Sequence, residues 1–185
     1  PRREVARRIT FVPQGGRPAF PCTTEEFVSY GLFARGDSVG DEADRLVAQA
    51  LSKAGLSRFR IAKVDTLSGG EFGRALIAQA LLQNARYLLL DEPVRDLDPC
   101  RQLETLDALR AAAHEEGRGV VVVLHDLALA SRYCDRIVVL ADGRRVADGP
   151  PDLALAPDVV RAAYGIEAAR APCPEPGRSW ILPTR

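Results

Sequence analysis

Short runs of consecutive apolar residues alternate along this chain with segments whose apolar residues recur every three or four positions. The runs at 87–90, 120–124 and 137–140 are typical of strands buried on both faces, and residues 8–14 predict an earlier short strand. The segments at 70–83, 101–116 and 127–132 have the spacing of helices. Buried strands that alternate with helices predict an α/β fold with a parallel sheet and helices on both faces.

A stretch between residues 22 and 65 has helical patterning only. Thr23 and Glu26 have the spacing of a capping box, and a second helix is predicted from Asp41 to Gly55. Asp142-Gly143 predicts a hairpin turn that follows the strand at 137–140. We therefore predict one domain with a helical lobe at 22–65 and a core at 1–21 and 66–150. Short helices and an irregular tail are expected at 151–185.

Composition narrows the class of protein. The chain has 185 residues, 46% hydrophobic and 27% charged, as expected for a soluble globular domain. Its 25 basic residues balance 25 acidic ones, so charge gives no support for a nucleic-acid partner. The four cysteines are scattered without metal-ligand spacing, which fits a reducing compartment. No apolar run is long enough to span a membrane.

The segment Leu67-Ser-Gly-Gly-Glu71 is the first candidate site. Two glycines directly before a helix let a ligand approach the backbone, and the free N–H groups of the helix start favour a phosphate. Ser68 adds a hydroxyl group. The alternative is purely structural, an N-cap serine followed by a flexible turn.

The second candidate site is an acidic pair at the end of a predicted strand. Asp91 and Glu92 follow the apolar run 87–90, and ligands of open parallel sheets bind at that edge. Asp91 has the chemistry to hold Mg²⁺, and Glu92 has the chemistry to orient or deprotonate a water molecule. His125 follows the run 120–124 and is expected at the same edge, where its imidazole suits a γ-phosphate. The alternatives are that Asp91 and Glu92 only cap a helix and that His125 has no functional role.

These motifs, in this order after a strand that ends near Gln14, resemble the ABC ATPase family over almost the whole chain. The resemblance implies a P-loop-NTPase-like parallel core of which the N-terminal part precedes Pro1. It implies that Gln14 is the Q-loop glutamine, which contacts Mg²⁺ and the attacking water, and that Ser68, Gly69, Gly70 and Glu71 belong to the signature motif. It also implies that Asp91 is the Walker B aspartate and Glu92 the catalytic glutamate. Asp98 resembles the D-loop aspartate, and His125 resembles the switch histidine.

The resemblance also implies ligands and partners. ATP and Mg²⁺ are expected to bind between two ATPase subunits arranged head to tail, on the cytoplasmic face of a membrane. The further partners are integral membrane permease subunits and, indirectly, a substrate-binding protein, with no nucleic acid. Motifs at 124–130, 132–136, 148–151 and 163–165 resemble the subfamily that imports iron–siderophores, haem or cobalamin.

Three departures accompany the resemblance. The phosphate-binding loop G-x-x-x-x-G-K-[ST] does not occur in the sequence, which has no Met, so we expect the loop to lie upstream of Pro1. Gly73 stands where the family usually has glutamine. Arg95 and Asp96 replace small residues before Leu97-Asp98. A soluble ABC ATPase outside transport, or a non-catalytic partner that contributes only its signature, stays open as an alternative.

Overall fold

The computed structural model describes residues 2–15, 18, 20–35, 40–172 and 179–184. The chain divides into two compact units, Pro1–Val123 and Leu124–Arg185. The elements of the first unit are α1 (Arg2–Arg8), β1 (Ile9–Val12), α2 (Thr24–Ser29), α3 (Leu32–Arg35), α4 (Asp41–Lys53), α5 (Gly69–Leu82), β2 (Tyr87–Asp91), α6 (Pro99–His114) and β3 (Gly119–Val123). Two 3-10 turns, Ser57–Phe59 and Val64–Thr66, precede α5.

A three-stranded parallel sheet of order β1-β2-β3 forms the core of the first unit. Val12 is opposite Leu90, and Leu90 is opposite Val122, so all three strands end at the same edge. Side chains alternate between the two faces of a strand, and one face, which includes Leu88 and Leu90, is buried. Helix α5 contacts β1 and α6 contacts β3. The parallel sheet predicted from the apolar runs is confirmed.

The opposite face of this sheet is more open. Its alternate positions carry exposed apolar side chains, namely Ile9, Phe11, Tyr87, Val121 and Val123. In the part of this unit that the structure describes, the face with Leu88 and Leu90 is the better covered one, although Val120 and Val122 on it are half-buried. The sequence predicted helices on both faces. Apolar runs indicate that both faces favour burial, but they do not indicate which segment supplies the cover.

The helical lobe at 22–65 has the predicted elements. The Thr23 hydroxyl accepts the Glu26 backbone N–H at 3.2 Å, and Glu26 Oε2 accepts the Thr23 backbone N–H at 2.8 Å, so the capping box is confirmed. Gly55 follows α4 with a left-handed φ of 65°, as a residue that ends a helix does. The apolar face of α4 packs with α2 and α5 in one cluster that includes the fully buried Leu51 and Leu56. Burying each such leucine contributes about 1.5–3 kcal/mol.

The second unit contains α7 (Leu127–Tyr133), β4 (Ile137–Ala141), β5 (Arg144–Gly149), α8 (Pro151–Ala154), α9 (Pro157–Tyr164), β6 (Ala168–Pro172) and β7 (Ser179–Pro183). Its core consists of Leu127, Val139, Leu155, Val160 and Ile181. The Ile181 backbone N–H donates to the Ser131 hydroxyl at 3.3 Å and ties β7 to α7. No helix in the described ranges has the length and apolar character that a membrane crossing needs.

Two expectations for this unit need correction. The run at 137–140 was predicted as a further strand of the parallel sheet, but β4 pairs antiparallel with β5. The reason is the turn at Asp142-Gly143, which has φ values of 49° and 71° and returns the chain directly alongside β4. The end of the chain was expected to be irregular, yet β6 and β7 form an antiparallel pair. The sequences of β6 and β7 mix polar residues and proline with apolar residues, so they do not show the apolar pattern that predicts a strand.

Candidate active site at the carboxyl edge of the parallel sheet

Gln14 and Glu92 meet at the edge where β1 and β2 end. The Gln14 Nε2 group donates to Glu92 Oε2 at 2.7 Å, although 78 positions separate the two residues. The parallel register explains the meeting, because β1 and β2 end side by side and each residue follows its strand within two positions. The structure therefore brings together two of the three residues to which the sequence assigned catalytic roles.

The backbone at Glu92 is strained. Its φ is 48°, in the left-handed region, whereas glutamate normally avoids that region. Among the described residues, Asn84 and Asp142 also have positive φ, but their side chains suit turns. A non-glycine residue held this way costs about 1–3 kcal/mol, and such residues cluster at active sites. The Glu92 side chain is only 12% exposed, so protein contacts and not bulk water determine the position of its carboxylate.

A cleft of about 200 Å³ surrounds these groups. Its lining combines polar groups with glycines and apolar side chains, and it includes Gln14, Gly69, Phe72, Gly73, Asp91, Glu92, Arg95 and Asp96. A larger cleft of about 610 Å³ lies among α4, α5 and α6, but neither Gln14 nor the acidic pair lines it. The smaller cleft is the candidate site, because it holds the convergent polar groups.

Arg95 is a member of this site that sequence reasoning missed. Its Nη1 group lies 3.0 Å from Glu92 Oε2, the same oxygen that accepts from Gln14. In the sequence, Arg95 was notable only as a departure from the family pattern. Its contact with Glu92 depends on a side-chain rotamer and on a turn with a left-handed residue, and neither has a sequence pattern.

The signature segment forms the start of α5. The Ser68 hydroxyl accepts the Glu71 backbone N–H at 3.3 Å, and Glu71 Oε2 accepts from the Ser68 backbone at 2.9 Å and from its hydroxyl at 2.8 Å. This is a complete capping box. These hydrogen bonds from Ser68, first from its backbone and then from its side chain, lower the pKa of Glu71. The capping alternative is thus present, and the phosphate-binding role of Ser68 and Glu71 stays a prediction.

The two signature glycines have different surroundings. A Cβ atom on Gly70 would lie 3.0 Å from the backbone oxygen of Asp96, so the segment 92–97 packs directly against the helix start. Gly69 has no neighbour within 4 Å of such a Cβ, and it lines the cleft. The backbone of Gly69 is therefore open to a ligand of the cleft, as the sequence predicted for this segment.

Asp98 and His125 lie at the starts of other helices. Asp98 Oδ1 accepts the Arg101 backbone N–H at 3.1 Å and caps α6. His125 follows β3 by two residues, is exposed, and precedes Asp126, which caps α7. His125 belongs to the second unit, whereas the cleft belongs to the first. The cofactor-contacting role of Asp98 and the catalytic role of His125 stay predictions.

The donor set of the cleft fits Mg²⁺. Asp91 supplies a carboxylate and Gln14 an amide oxygen, and both line the cleft. Mg²⁺ prefers oxygen ligands and is often held by one or two protein groups, with phosphates and water completing the shell. No group of three His, Cys, Asp or Glu side chains with metal-binding geometry is found in the ranges that the structure covers.

Comparison with known proteins assigns the family. The family model described as ABC transporter matches residues 1–95, which contain β1, the helical lobe, the signature segment and the acidic pair. A cobalamin import ATP-binding protein, BtuD of Halobacterium salinarum, is 41% identical over 180 residues, which cover 97% of this chain and 45% of the relative. A hemin import ATP-binding protein, HmuV of Bordetella pertussis, is 40% identical and covers 97% of this chain and 72% of the relative. The chain belongs to the ABC transporter family.

The fold agrees with that assignment. The ATP-binding cassette MJ0796, solved as a dimer in a post-hydrolysis state with ADP and Pi, superposes with a TM-score of 0.72 at 32% identity. The match covers 81% of this chain and 66% of that one. The predicted P-loop-NTPase-like α/β class is therefore confirmed. The chain spans about half the length of the halobacterial relative.

Proposed function

We propose that the protein is the ATP-binding and ATP-hydrolysing subunit of an ABC importer. The observation that supports this best is the 2.7 Å contact between Gln14 and Glu92 in a cleft that Asp91 also lines. The ends of two strands hold Gln14 and Glu92, and the backbone of Glu92 is strained. Packing alone explains neither the contact between the two side chains nor the strain. The importer relatives, which are about 40% identical to the chain over the aligned residues, support the same conclusion.

The residues divide the work as follows in this proposal. Glu92 orients and deprotonates the attacking water, and Gln14 fixes the carboxylate by donating to it. Asp91 and Gln14 hold Mg²⁺, which when bound neutralises charge on the phosphates. His125 donates to the γ-phosphate.

A second ATPase subunit, arranged head to tail, completes each nucleotide site in this proposal. The start of α5 contacts the ATP held by the other subunit, through the open backbone of Gly69. Gly70, Ser68, Glu71 and Asp98 complete this contact. A free helix N-terminus carries a partial positive charge, which suits phosphate oxygens. The dimeric state of MJ0796 supports this arrangement.

Membrane permease subunits dock on the helical lobe in this proposal. Phe20 and Phe33 are 56% and 57% exposed, and both contact Tyr30, with ring centroids 5.9 and 5.5 Å apart. An exposed group of aromatic side chains is typical of a protein interface. It begins six positions after Gln14, so a partner that contacts it lies close in sequence to the hydrolytic site. This docking puts the subunit on the cytoplasmic face of the membrane.

The transported ligand is proposed to be an iron–siderophore, haem or cobalamin, delivered by a substrate-binding protein. The support comes from the relatives, whose names specify cobalamin and hemin import. The ligand itself would contact other subunits, so its identity requires a transport measurement.

The test uses the full-length protein with its permease in vesicles. We expect ATP hydrolysis that stops when EDTA removes Mg²⁺, and ATP-dependent uptake of one of the three ligand types. Hydrolysis without uptake of any of them would favour a soluble ABC ATPase outside transport. No hydrolysis, with ATP turnover restored only by a second, different subunit, would favour a non-catalytic partner that contributes its signature.

A further inference from the structure

Arg95 places a positive charge on the carboxylate that the proposed function assigns to the attacking water. Its Nη1 group lies 3.0 Å from Glu92 Oε2, and Gln14 Nε2 lies 2.7 Å from the same oxygen. A carboxylate oxygen has about two lone-pair sites for hydrogen bonds. This oxygen is therefore fully used by two protein donors, and a water molecule can reach it only when one donor leaves.

The guanidinium is the donor that leaves more readily. The Arg95 side chain is 61% exposed, and exposed ion pairs are weak and screened by salt. Gln14 lies two positions after β1, and its side chain has fewer rotatable bonds than that of arginine. Rotation of the Arg95 side chain alone therefore opens Oε2 of Glu92 to water.

The backbone that carries Arg95 is fixed, so this rotation requires no rearrangement of the turn. The Arg95 backbone N–H donates to the Glu92 carbonyl at 3.3 Å, and the Gln102 amide donates to the Val94 carbonyl at 3.1 Å. Gly70 packs against the backbone of Asp96. The turn between β2 and α6 thus presents Arg95 in one place, with only its side chain able to move.

We propose that Arg95 is a positioning residue that withholds the Oε2 atom of Glu92 from water and thereby slows hydrolysis until its side chain rotates away. The inference rests on the proposed function of Glu92. It goes beyond that function because the restraint comes from a residue that the family pattern does not contain at this place.

The test compares three variants of the full-length protein in steady-state ATP hydrolysis. Arg95→Ala removes the donor, and Arg95→Lys keeps a charged donor. Arg45→Ala is the matched control, because Arg45 forms an ion pair with Glu42 at the same spacing, 2.7 Å long, on the surface of α4. We expect kcat of Arg95→Ala to rise about two- to fivefold, the range that one exposed ion pair allows, with KM for MgATP unchanged.

The controls separate the outcomes. Arg95→Lys and Arg45→Ala are expected near the parent kcat, and added salt is expected to narrow the gap between the parent and Arg95→Ala. An unchanged or lower kcat for Arg95→Ala in an active parent overturns the inference and leaves the proposed function intact. A raised KM overturns it in favour of direct nucleotide contact. If neither parent nor variant hydrolyses ATP, the proposed function fails and the inference fails with it.

Discussion

Glu71 and Glu92 are two acids of the first unit whose carboxylates accept well-formed hydrogen bonds for different reasons. Glu71 bonds to Ser68, three residues earlier, and the pair closes a capping box at the start of α5. Glu92 bonds to Gln14, 78 residues earlier, from a left-handed backbone conformation. The first arrangement satisfies the helix start and carries no strain. The second costs energy locally and depends on the sheet.

This difference in backbone strain and in the range of the hydrogen bonds indicates which of the two acids is catalytic. A capping glutamate is explained by the four unpaired N–H groups of a helix start. No comparable backbone need explains the conformation of Glu92, and strained residues persist only where the surrounding structure fixes them. Glu92 is therefore expected to affect the chemical step, and the hydrogen bonds between Ser68 and Glu71 are expected to affect mainly stability. The predictions below test that division, from the largest effect to the smallest.

Replacing Gln14 with alanine removes the long-range donor to Glu92. We expect kcat of the full-length protein to fall about tenfold or more, because a misplaced catalytic group costs rate steeply. The melting temperature should hardly change, since Gln14 is exposed. Steady-state ATP hydrolysis and thermal unfolding of the same sample measure both quantities. A parent-like kcat would show that the strand ends alone position Glu92.

Replacing Ser68 with alanine opens the capping box. We expect a loss of about 1 kcal/mol in the free energy of unfolding, the usual cost of an N-cap serine. Urea denaturation followed by circular dichroism measures the loss. Thr23→Ala is the matched control, because Thr23 closes a capping box at α2 in the same way and lies outside the candidate site. A much larger loss of ATP hydrolysis than of stability for Ser68→Ala, absent in Thr23→Ala, would indicate that Ser68 also contacts nucleotide.

Replacing Gly73 with alanine should stabilise α5. Gly73 lies inside the helix, and a Cβ atom there has no neighbour within 4 Å. The expected gain is about 0.5–1 kcal/mol, the difference between glycine and alanine in a helix. The urea midpoint reports the gain. Gly70→Ala, whose Cβ would press on the Asp96 backbone, should lose stability instead.

Replacing Glu71 with glutamine should change stability at pH 7 by less than about 0.5 kcal/mol, because glutamine also closes a capping box. The pKa of Glu71 is lowered by the Ser68 hydrogen bonds from an ordinary 4.5. A lowered carboxyl pKa stabilises the fold above pH 4.5 and loses that contribution as pH falls through the folded value. The parent should therefore lose more stability than Glu71→Gln on acidification below pH 4.5, which thermal unfolding at several pH values records. Parallel losses would contradict the assignment.

Local sequence predicted the elements whose causes are local. The capping box at Thr23 and the turn at Asp142-Gly143 follow from residues within four positions of each other. The N-cap of Ser68, which was considered only as an alternative to phosphate binding, has the same kind of local cause. The strand order β1-β2-β3 was harder to predict from the sequence, because an apolar run does not specify which strands lie next to it in the sheet. The hairpin β4–β5 shows this limit, since its first strand has the same apolar pattern as β2.

The sequence identified three members of the candidate site, but it identified neither Arg95 as a fourth member nor the contacts between these residues. Gln14, Asp91 and Glu92 were identified from motifs, and the common strand ends explain why they share a cleft. The contact of Arg95 with Glu92 depends on a rotamer and a strained turn, neither of which has a sequence pattern. The relation of His125 to this cleft stays a prediction, because His125 belongs to the second unit and the cleft to the first.

The most direct test of this account is single-turnover hydrolysis of ATP by full-length Glu92→Gln and Glu71→Gln, measured side by side with the parent. Single turnover isolates the chemical step from product release. The account predicts a rate about 100-fold or more below the parent for Glu92→Gln, the usual cost of removing a general base, and a rate within about twofold of the parent for Glu71→Gln. Equal rates for the two variants would contradict the assignment of chemistry to Glu92 and structure to Glu71.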